Sequence, residues 1–357
     1  MATKLFSTFN VRDIQFRNRI FVSPMCQYSA TDGVPNDWHF VHLASRAVGG
    51  AGLVIAEATG VTAEGRISPG DLGIWNNDQV KAFQRITSFV SAQGAVPGIQ
   101  LAHAGRKAST PLQWLGERSL RPDEGGWESV VAPSPIAFGE GYVTPHELTK
   151  SEVAGLVTSF VKATQRAREA GFKVIEIHMA HGYLLHEFLS PISNKREDEF
   201  GGDLQGRMSF PLQVAQAVRN AWPSELPLFV RISATDWAEG GWDVEQSIVF
   251  ARQLKGLGID LIDCSSGGNV RGVKIPLGPG YQVPFASAIR KETGIATAAV
   301  GLITEPQQAE DILQRGDADA IVMARAFLRD PYWPLHAARV LSVDVPWPIQ
   351  YLRARPR

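Results

Sequence analysis

The sequence predicts an α/β fold, a single (β/α)8 TIM barrel. Eight short apolar runs recur along the chain: Ile20–Pro24, Leu53–Glu57, Val96–Leu101, Lys173–His178, Leu228–Ile232, Ile259–Ser265, Ile295–Val300 and Ala320–Ala324. Most are continuous instead of alternating, as strands buried on both faces should be. Amphipathic stretches separate them, and polar residues gather at their C-terminal ends, where this barrel keeps its active sites. An open doubly wound sheet is the architectural rival. The count of eight and the polar strand ends favour closure.

The intervening helices are expected at Asp78–Gln93, Thr149–Ala170, Arg207–Trp222, Asp243–Gly258, Val283–Thr293 and Glu305–Arg315. Thr149 followed by Glu152 has the form of a capping box, in which side chains at both ends of the first turn satisfy its free N–H groups. Gly171, Gly258, Gly294 and Gly316 stand where left-handed helix stops belong. Leu5–Arg19 reads as a short hairpin ahead of the first strand that plugs the barrel floor. Residues 102–148 form a Gly-, Pro- and Trp-containing loop after strand three, long enough to act as a lid. The whole of 1–357 is read as one domain, with a tail at 342–357 ending in the basic Arg353–Arg357. That tail contains Trp347, Ile349, Tyr351 and Leu352, too apolar for a solvated end. A two-fold neighbour is its expected partner, in a homodimer or a dimer of dimers.

The composition excludes several classes. With 357 residues, 44% hydrophobic and 20% charged, the chain is of ordinary globular composition. A net charge of −1 supplies no broad basic field for nucleic acid or an anionic membrane. Met1 to Asn10 shows no secretory apolar core, and no run approaches the length of a membrane span. Two cysteines, Cys26 and Cys264, build neither a disulfide framework nor a four-cysteine zinc site. A cytoplasmic enzyme without a metal is the expectation.

Strand ends then supply candidate site residues. Strand one ends Ser23-Pro24-Met25-Cys26-Gln27-Tyr28, with Cys26 either a packed thiol or a sulfur against a bound ring. Strand three ends at Gln100, followed by His103, Arg106 and Lys107. An amide there either bonds a heterocycle edge or is a satisfied core glutamine. Strand four ends His178-Met179-Ala180-His181-Gly182-Tyr183, two histidines able to converge on one oxygen with a tyrosine beside them. Metal binding by the pair would need a third ligand, and none is evident. Strand five carries Arg231, whose buried cation needs an anion: a cofactor charge, or the nearby Asp236. Strands seven and eight end at Gly301 and Ala324-Arg325, the usual phosphate position of the fold. Gly50-Ala51-Gly52, the nearest thing to a dinucleotide fingerprint, precedes a strand instead of opening a helix, so a resident mononucleotide is expected.

Taken together, the motifs Arg17-Asn18-Arg19-Ile20, Ser23 to Tyr28, Asn36-Asp37-Trp38-His39, Glu57-Ala58-Thr59, Gln100 to Lys107, His178 to Tyr183, Leu189-Ser190-Pro191, Gly201-Gly202 with Arg207, and Gln350-Tyr351 resemble the Old Yellow Enzyme family. The resemblance runs nearly end to end. Cys26 in place of threonine indicates the thermophilic-like, YqjM and xenobiotic reductase A class. The resemblance implies tightly bound FMN. Ser23, Pro24, Met25, Cys26, Ala58, Gln100 and Arg231 would hold its isoalloxazine, and Gly301, Ala324 and Arg325 its phosphate. Tyr28, Lys107, His178, His181 and Tyr183 would face substrate. Arg353, following Gln350-Tyr351, would reach the neighbouring subunit's pocket. Ala324 stands where glycine is common in the family, and Gly60 where alanine is common.

The implied activity is reduction of α,β-unsaturated carbonyl compounds and other activated alkenes with NADPH or NADH as transient hydride donor. His178 and His181 would stabilise the enolate, and Tyr183 would protonate Cα. The rivals are a flavin-storing redox sensor built on Cys26, and a dienoyl-CoA reductase-like enzyme. The latter needs an iron–sulfur cluster and a second flavin domain, for which two cysteines and this length leave no room.

Overall fold

The computed structural model describes residues 3–356. Met1 and Ala2, at the start of the segment without a secretory apolar core, and Arg357, the end of the basic tail, lie outside the described residues. In chain order the elements are β1 (Phe9–Val11), β2 (Ile14–Phe16), β3 (Ile20–Val22), α1 (Asp37–Val48), β4 (Leu53–Gly60), α2 (Asn77–Ala92), β5 (Val96–Ala102), β6 (Val131–Ala132), β7 (His146–Glu147), α3 (Lys150–Glu169), β8 (Val174–Met179), α4 (Leu184–Leu189), α5 (Leu204–Ala221), β9 (Leu228–Ser233), α6 (Val244–Gly256), β10 (Leu261–Ser265), α7 (Val283–Thr293), β11 (Ala296–Ala299), α8 (Pro306–Gln314), β12 (Ala320–Met323), α9 (Arg325–Arg329) and α10 (Trp333–Val340). Parallel strands close in the order β3-β4-β5-β8-β9-β10-β11-β12 and back to β3. This is the expected (β/α)8 barrel, one strand for each apolar run. No helix among the described residues is long and apolar enough to cross a membrane.

Local chemistry accounts for several helix ends. Thr149 accepts from the Glu152 backbone N–H at 3.3 Å, while Glu152 accepts from the Thr149 N–H at 2.7 Å, closing the capping box of α3. Gly171, Gly258, Gly294 and Gly316 all lie at positive φ, where a side chain would strain the turn. Helix α1 follows the first barrel strand and is absent from the expected set. Its buried face contains His39, His42 and Arg46 among leucine and alanine, so polar residues interrupt the apolar period. Asn36 and His39 cap its start reciprocally. The short helices α4, α9 and α10 were likewise not anticipated.

The predicted hairpin is β1 paired antiparallel with β2. Its Phe16 is fully buried among residues that open the barrel strands, including Leu53, Val174, Phe229, Leu261 and Ala320. The Phe16 ring lies 5.0 Å from that of Phe21 and 6.3 Å from that of Phe229. These are N-terminal strand residues, so the hairpin seals the floor and leaves the opposite rim for chemistry. Over that rim runs the 102–148 segment, which includes β6 paired with β7 and several short turns. It is pinned by Arg118 to Glu124 at 2.7 Å and by Trp127 Nε1 donating to the Glu64 carbonyl at 2.9 Å. Arg196 Nη1 donates to the Leu148 carbonyl at 2.6 Å. The tail ends in a short 3-10 turn, Ile349–Ala354, with Ile349 76% and Leu352 48% exposed on the single chain.

Phe16→Ala should remove about 3–5 kcal/mol of stability, the usual cost of deleting a packed core phenylalanine. Urea unfolding of the holoprotein measures it. A loss below about 1 kcal/mol would mean that the ring does not close the floor.

Candidate active site

Strand β8 delivers the histidine pair. His178 is inward at its end, opposite Arg231 of β9, and the chain then turns through His181 and Gly182 at φ 60° and 69°. A Cβ at Gly182 would fall 2.3 Å from the Gly268 carbonyl oxygen, so the close approach of two loops there requires glycine. The His178 ring meets His181 and Tyr183 edge-on, each with 5.1 Å between ring centres. His181 N–H donates to Ser233 Oγ at 2.9 Å, and its Nε2 lies 2.7 Å from Ser265 Oγ. Nδ1 of His178 is buried with no partner among the described residues. Burial, then Arg231 and Lys107, hold His178 well below the ordinary histidine range. Burial, His178 and those same cations do so for His181. Burial pushes the Tyr183 phenol well up. At neutral pH the constellation is therefore two uncharged imidazoles and a protonated phenol, all hydrogen-bond donors.

The end of β3 brings Cys26 and Tyr28 together. Tyr28 takes φ 50°, and a hydrogen bond to Cys26 contributes to the upward shift of its phenol, behind burial. Burial also pushes the Cys26 thiol well up, with Asp71 and Glu57 adding to it. The register of β4 shifts between Ala56 and Ala58, and this bulge sets Glu57 apart from the regular ladder. Glu57 accepts from the Gln27 N–H at 3.0 Å and lies 3.8 Å from His39 Nε2. Ligand-type atoms of Cys26, Glu57 and Asp71 lie within 4.8 Å of one another. Glu57 and Asp71 were missed as parts of this environment; Asp71 comes from a loop beyond strand two, with no local pattern to mark it.

A buried polar layer lies inside the barrel. Gln100 Nε2 donates to Glu176 Oε1 at 2.7 Å, Arg231 Nη1 donates to Ser23 Oγ at 3.0 Å, and Arg231 Nε lies 3.2 Å from Asp263 Oδ2. This corrects the expectation for Arg231: its in-chain anion is Asp263 on the adjacent strand, not Asp236. Asp236 accepts instead from Ser190 and the Trp242 N–H and faces His186 at 3.0 Å. Gln100 thus has a partner inside the protein. Glu176 and Asp263 were not anticipated, although an acidic residue in the middle of an apolar run was a visible signal.

On the far side, Gly301, Leu302, Ala324 and Arg325 line a cavity of about 210 Å³ together with Ser265 and Gln282. Gly301 sits at φ 124°, and a Cβ there would fall 2.9 Å from Gln282 Nε2. No side chain caps the start of α9 at Ala324, and the Arg325 guanidinium has no ion-pair partner among the described residues. Uncapped N–H groups, a glycine cradle and a guanidinium without an ion pair make a donor set suited to a phosphate.

A second cavity, of about 420 Å³, is lined in part by the 102–148 segment. Tyr28, Lys107 and Tyr183 line it with Phe138, Tyr142 and Arg271. His178 and His181 lie behind this wall rather than on it. Lys107 donates to the carbonyls of His181 and Gly268 at 2.8 and 3.1 Å and sits 4.6 Å over Phe138, and burial brings its ammonium down to about 8. Arg353 is exposed on the tail and is not on the wall of its own chain's cavity. Apart from Arg353, the candidate residues converge on one rim, and they suit FMN. The inward Arg231 and Gln100 can meet a heterocycle edge, and the Gly301–Arg325 side a single phosphate.

Comparison with known proteins agrees. The model of the NADH:flavin oxidoreductase / NADH oxidase family matches residues 4–343. The chain is 47% identical over 355 residues to an NADPH dehydrogenase of Geobacillus thermodenitrificans, covering 99% of each chain. It is 49% identical over 354 residues to an NADPH dehydrogenase of Listeria innocua, again covering 99% of both. Among solved structures, morphinone reductase aligns over 97% of this chain and 91% of its own, at 25% identity and a TM-score of 0.80.

The ring nitrogen shifts of His178 and His181, followed by NMR as pH is lowered, should show no inflection near 6.5, since folding holds both rings below that value. Linkage fixes the sign: the unfolded chain takes up protons that the fold refuses, so these rings destabilise the fold progressively as pH is lowered through and below 6.5 and cost nothing above it. Titration of either ring near 6.5 would show it to be solvated.

Proposed function

The chain belongs to the NADH:flavin oxidoreductase / NADH oxidase family and is an FMN-dependent oxidoreductase, and from that premise we propose that it reduces the C=C bond of activated alkenes at the expense of NAD(P)H. The observation that supports this most is the uncharged His178–His181 pair packed against Tyr183, beside a cavity of small-substrate size. FMN, when bound, supplies the hydride relay between nicotinamide and alkene. Ser23, Pro24, Met25, Cys26, Ala58, Gln100 and Arg231 would hold its ring system, and Gly301, Ala324 and Arg325 its phosphate.

The protein's own residues do the rest. Neutral imidazoles at His178 and His181 donate to the carbonyl oxygen of an α,β-unsaturated substrate and stabilise the negative charge that develops there. Their neutrality matters, because such a donor has no proton to lose between pH 6 and 8 and does not repel the buried Arg231. The Tyr183 phenol keeps its proton at neutral pH and offers it to the enolate-like Cα. Tyr28 and Lys107 shape the substrate side. A Cys26 sensor is the weaker reading, because a redox-responsive thiol needs thiolate character and this one is pushed the other way.

His178→Ala and His181→Ala should each slow reoxidation by cyclohexenone about 10²–10³-fold, the usual cost of one oxyanion donor. Reduction by NADPH should suffer less, and Tyr183→Phe should mainly slow proton delivery. Anaerobic stopped-flow traces separate the half-reactions. Unchanged reoxidation in all three variants refutes the assignment, and a purified protein carrying FAD or no flavin refutes the cofactor.

The tail extends the proposal to assembly: Arg353 completes a two-fold neighbour's pocket in a homodimer or dimer of dimers, while the exposed Ile349 and Leu352 pack on that neighbour. Mixed dimers of Arg353→Ala subunits with His178→Ala/His181→Ala subunits should then stay substantially active, because both lesions fall in one pocket. Action within one chain damages both pockets and holds activity to the parental average or less.

A further inference from the structure

The buried layer of Gln100, Glu176, Arg231 and Asp263 has more acceptors than donors. Strand register forces the grouping: Gln100 is opposite Glu176 across β5 and β8, and Arg231 is opposite Asp263 across β9 and β10. All four are 4% exposed or less, so bulk water does not reach them. Gln100 uses an N–H on Glu176 Oε1, and Arg231 spends Nη1 on Ser23. Glu176 Oε2 and both Asp263 oxygens are left without an aligned donor. The two carboxyls face each other closely enough to hydrogen-bond, which two ionised carboxylates cannot do. Two negative charges would also leave the sealed layer with a net charge against a single guanidinium, an arrangement that burial penalises strongly.

We propose that Glu176 is a positioning residue that keeps its proton at neutral pH and donates it to Asp263, so that the layer holds one negative charge to match the one positive charge of Arg231. The hydrogen bonds then run in one direction, from Gln100 N–H to the Glu176 carbonyl oxygen and from the Glu176 hydroxyl to Asp263, which faces the Arg231 guanidinium. The shared proton gives one of the orphaned Asp263 oxygens its donor and turns the orphaned Glu176 oxygen into that donor, while Asp263 Oδ2 stays 3.2 Å from Arg231 Nε. Burial raises both carboxyls, Asp263 adds to the rise at Glu176, and Arg231 pulls both back. His178, the nearest other titratable group on β8, is neutral for its own reasons and adds no charge. Arg231 is thereby fixed in place and electrically balanced where FMN is read to sit, a consequence that rests on that reading. The shared proton does not.

The holoprotein, Glu176→Gln and Asp263→Asn decide the matter by two readouts. Infrared spectra at neutral pH should show a protonated-carboxyl stretch that Glu176→Gln removes. The flavin reduction potential of Glu176→Gln should equal that of the unmodified protein, because glutamine replaces a neutral acid with a neutral donor. Asp263→Asn should raise the potential, since the Arg231 charge is no longer offset, and Asp263→Glu should restore it. A missing band, a band that survives Glu176→Gln, or a potential raised by Glu176→Gln as much as by Asp263→Asn overturns the proposal. If Asp263→Asn does not fold, the comparison of Glu176→Gln with the unmodified protein still decides. A protein without flavin would sink the functional reading, and the infrared band would still answer for the proton.

Discussion

A guanidinium sealed inside a barrel must be answered by nearby charge, and the upper half of this molecule is organised around answering Arg231. It is 4% exposed, in the middle of a strand, with Asp263 beside it and Ser23 across the mouth. Breaking such a pair leaves an uncompensated buried charge, which costs far more than the pair itself stabilises. Parallel registry across β5, β8, β9 and β10 therefore does more than bury aliphatic side chains. It sets an amide, two acids and a cation in one layer, and closure of the barrel keeps water from them.

The same field governs the rim. Arg231 and Lys107 both face His178 and His181, and with desolvation they keep the imidazoles neutral. Burial acts oppositely on acids, so the phenol of Tyr183 and the thiol of Cys26 hold their protons. One physical condition, low solvation at the mouth, thus makes the histidines donors, the tyrosine a proton source and the cysteine a quiet neighbour. Residues of the 102–148 segment line the opening. Phe138 covers Lys107, and Arg271 ties Glu117 and the Glu140 carbonyl across the opening, each at 3.1 Å.

Much of this was legible in the residues alone. Each of the eight apolar runs became a barrel strand, because burial on both faces demands continuous apolar sequence and nothing else in a chain of this kind looks like it. The helix stops at Gly171, Gly258, Gly294 and Gly316 were local, decided by which residue tolerates a left-handed turn. The His178–Tyr183 stretch announced itself because three polar rings at a strand end have little structural use. Helix α1 escaped because its inner face includes His39, His42 and Arg46, and burial of polar residues depends on partners that periodicity cannot register.

What the sequence determined by itself, then, was governed by neighbours along the chain: the continuity of the barrel strands, the capping box of α3 and the glycine stops of four helices. Which groups answer each other was decided only in three dimensions. Asp236, near Arg231 in sequence, went to His186 and Ser190, while Asp263 on the next strand took the arginine. Glu57 reached the Cys26 environment through a bulge, and Asp71 through a loop. Charge pairing depends on distance through space and on the exclusion of water, and both are properties of the closed barrel, not of any segment of it.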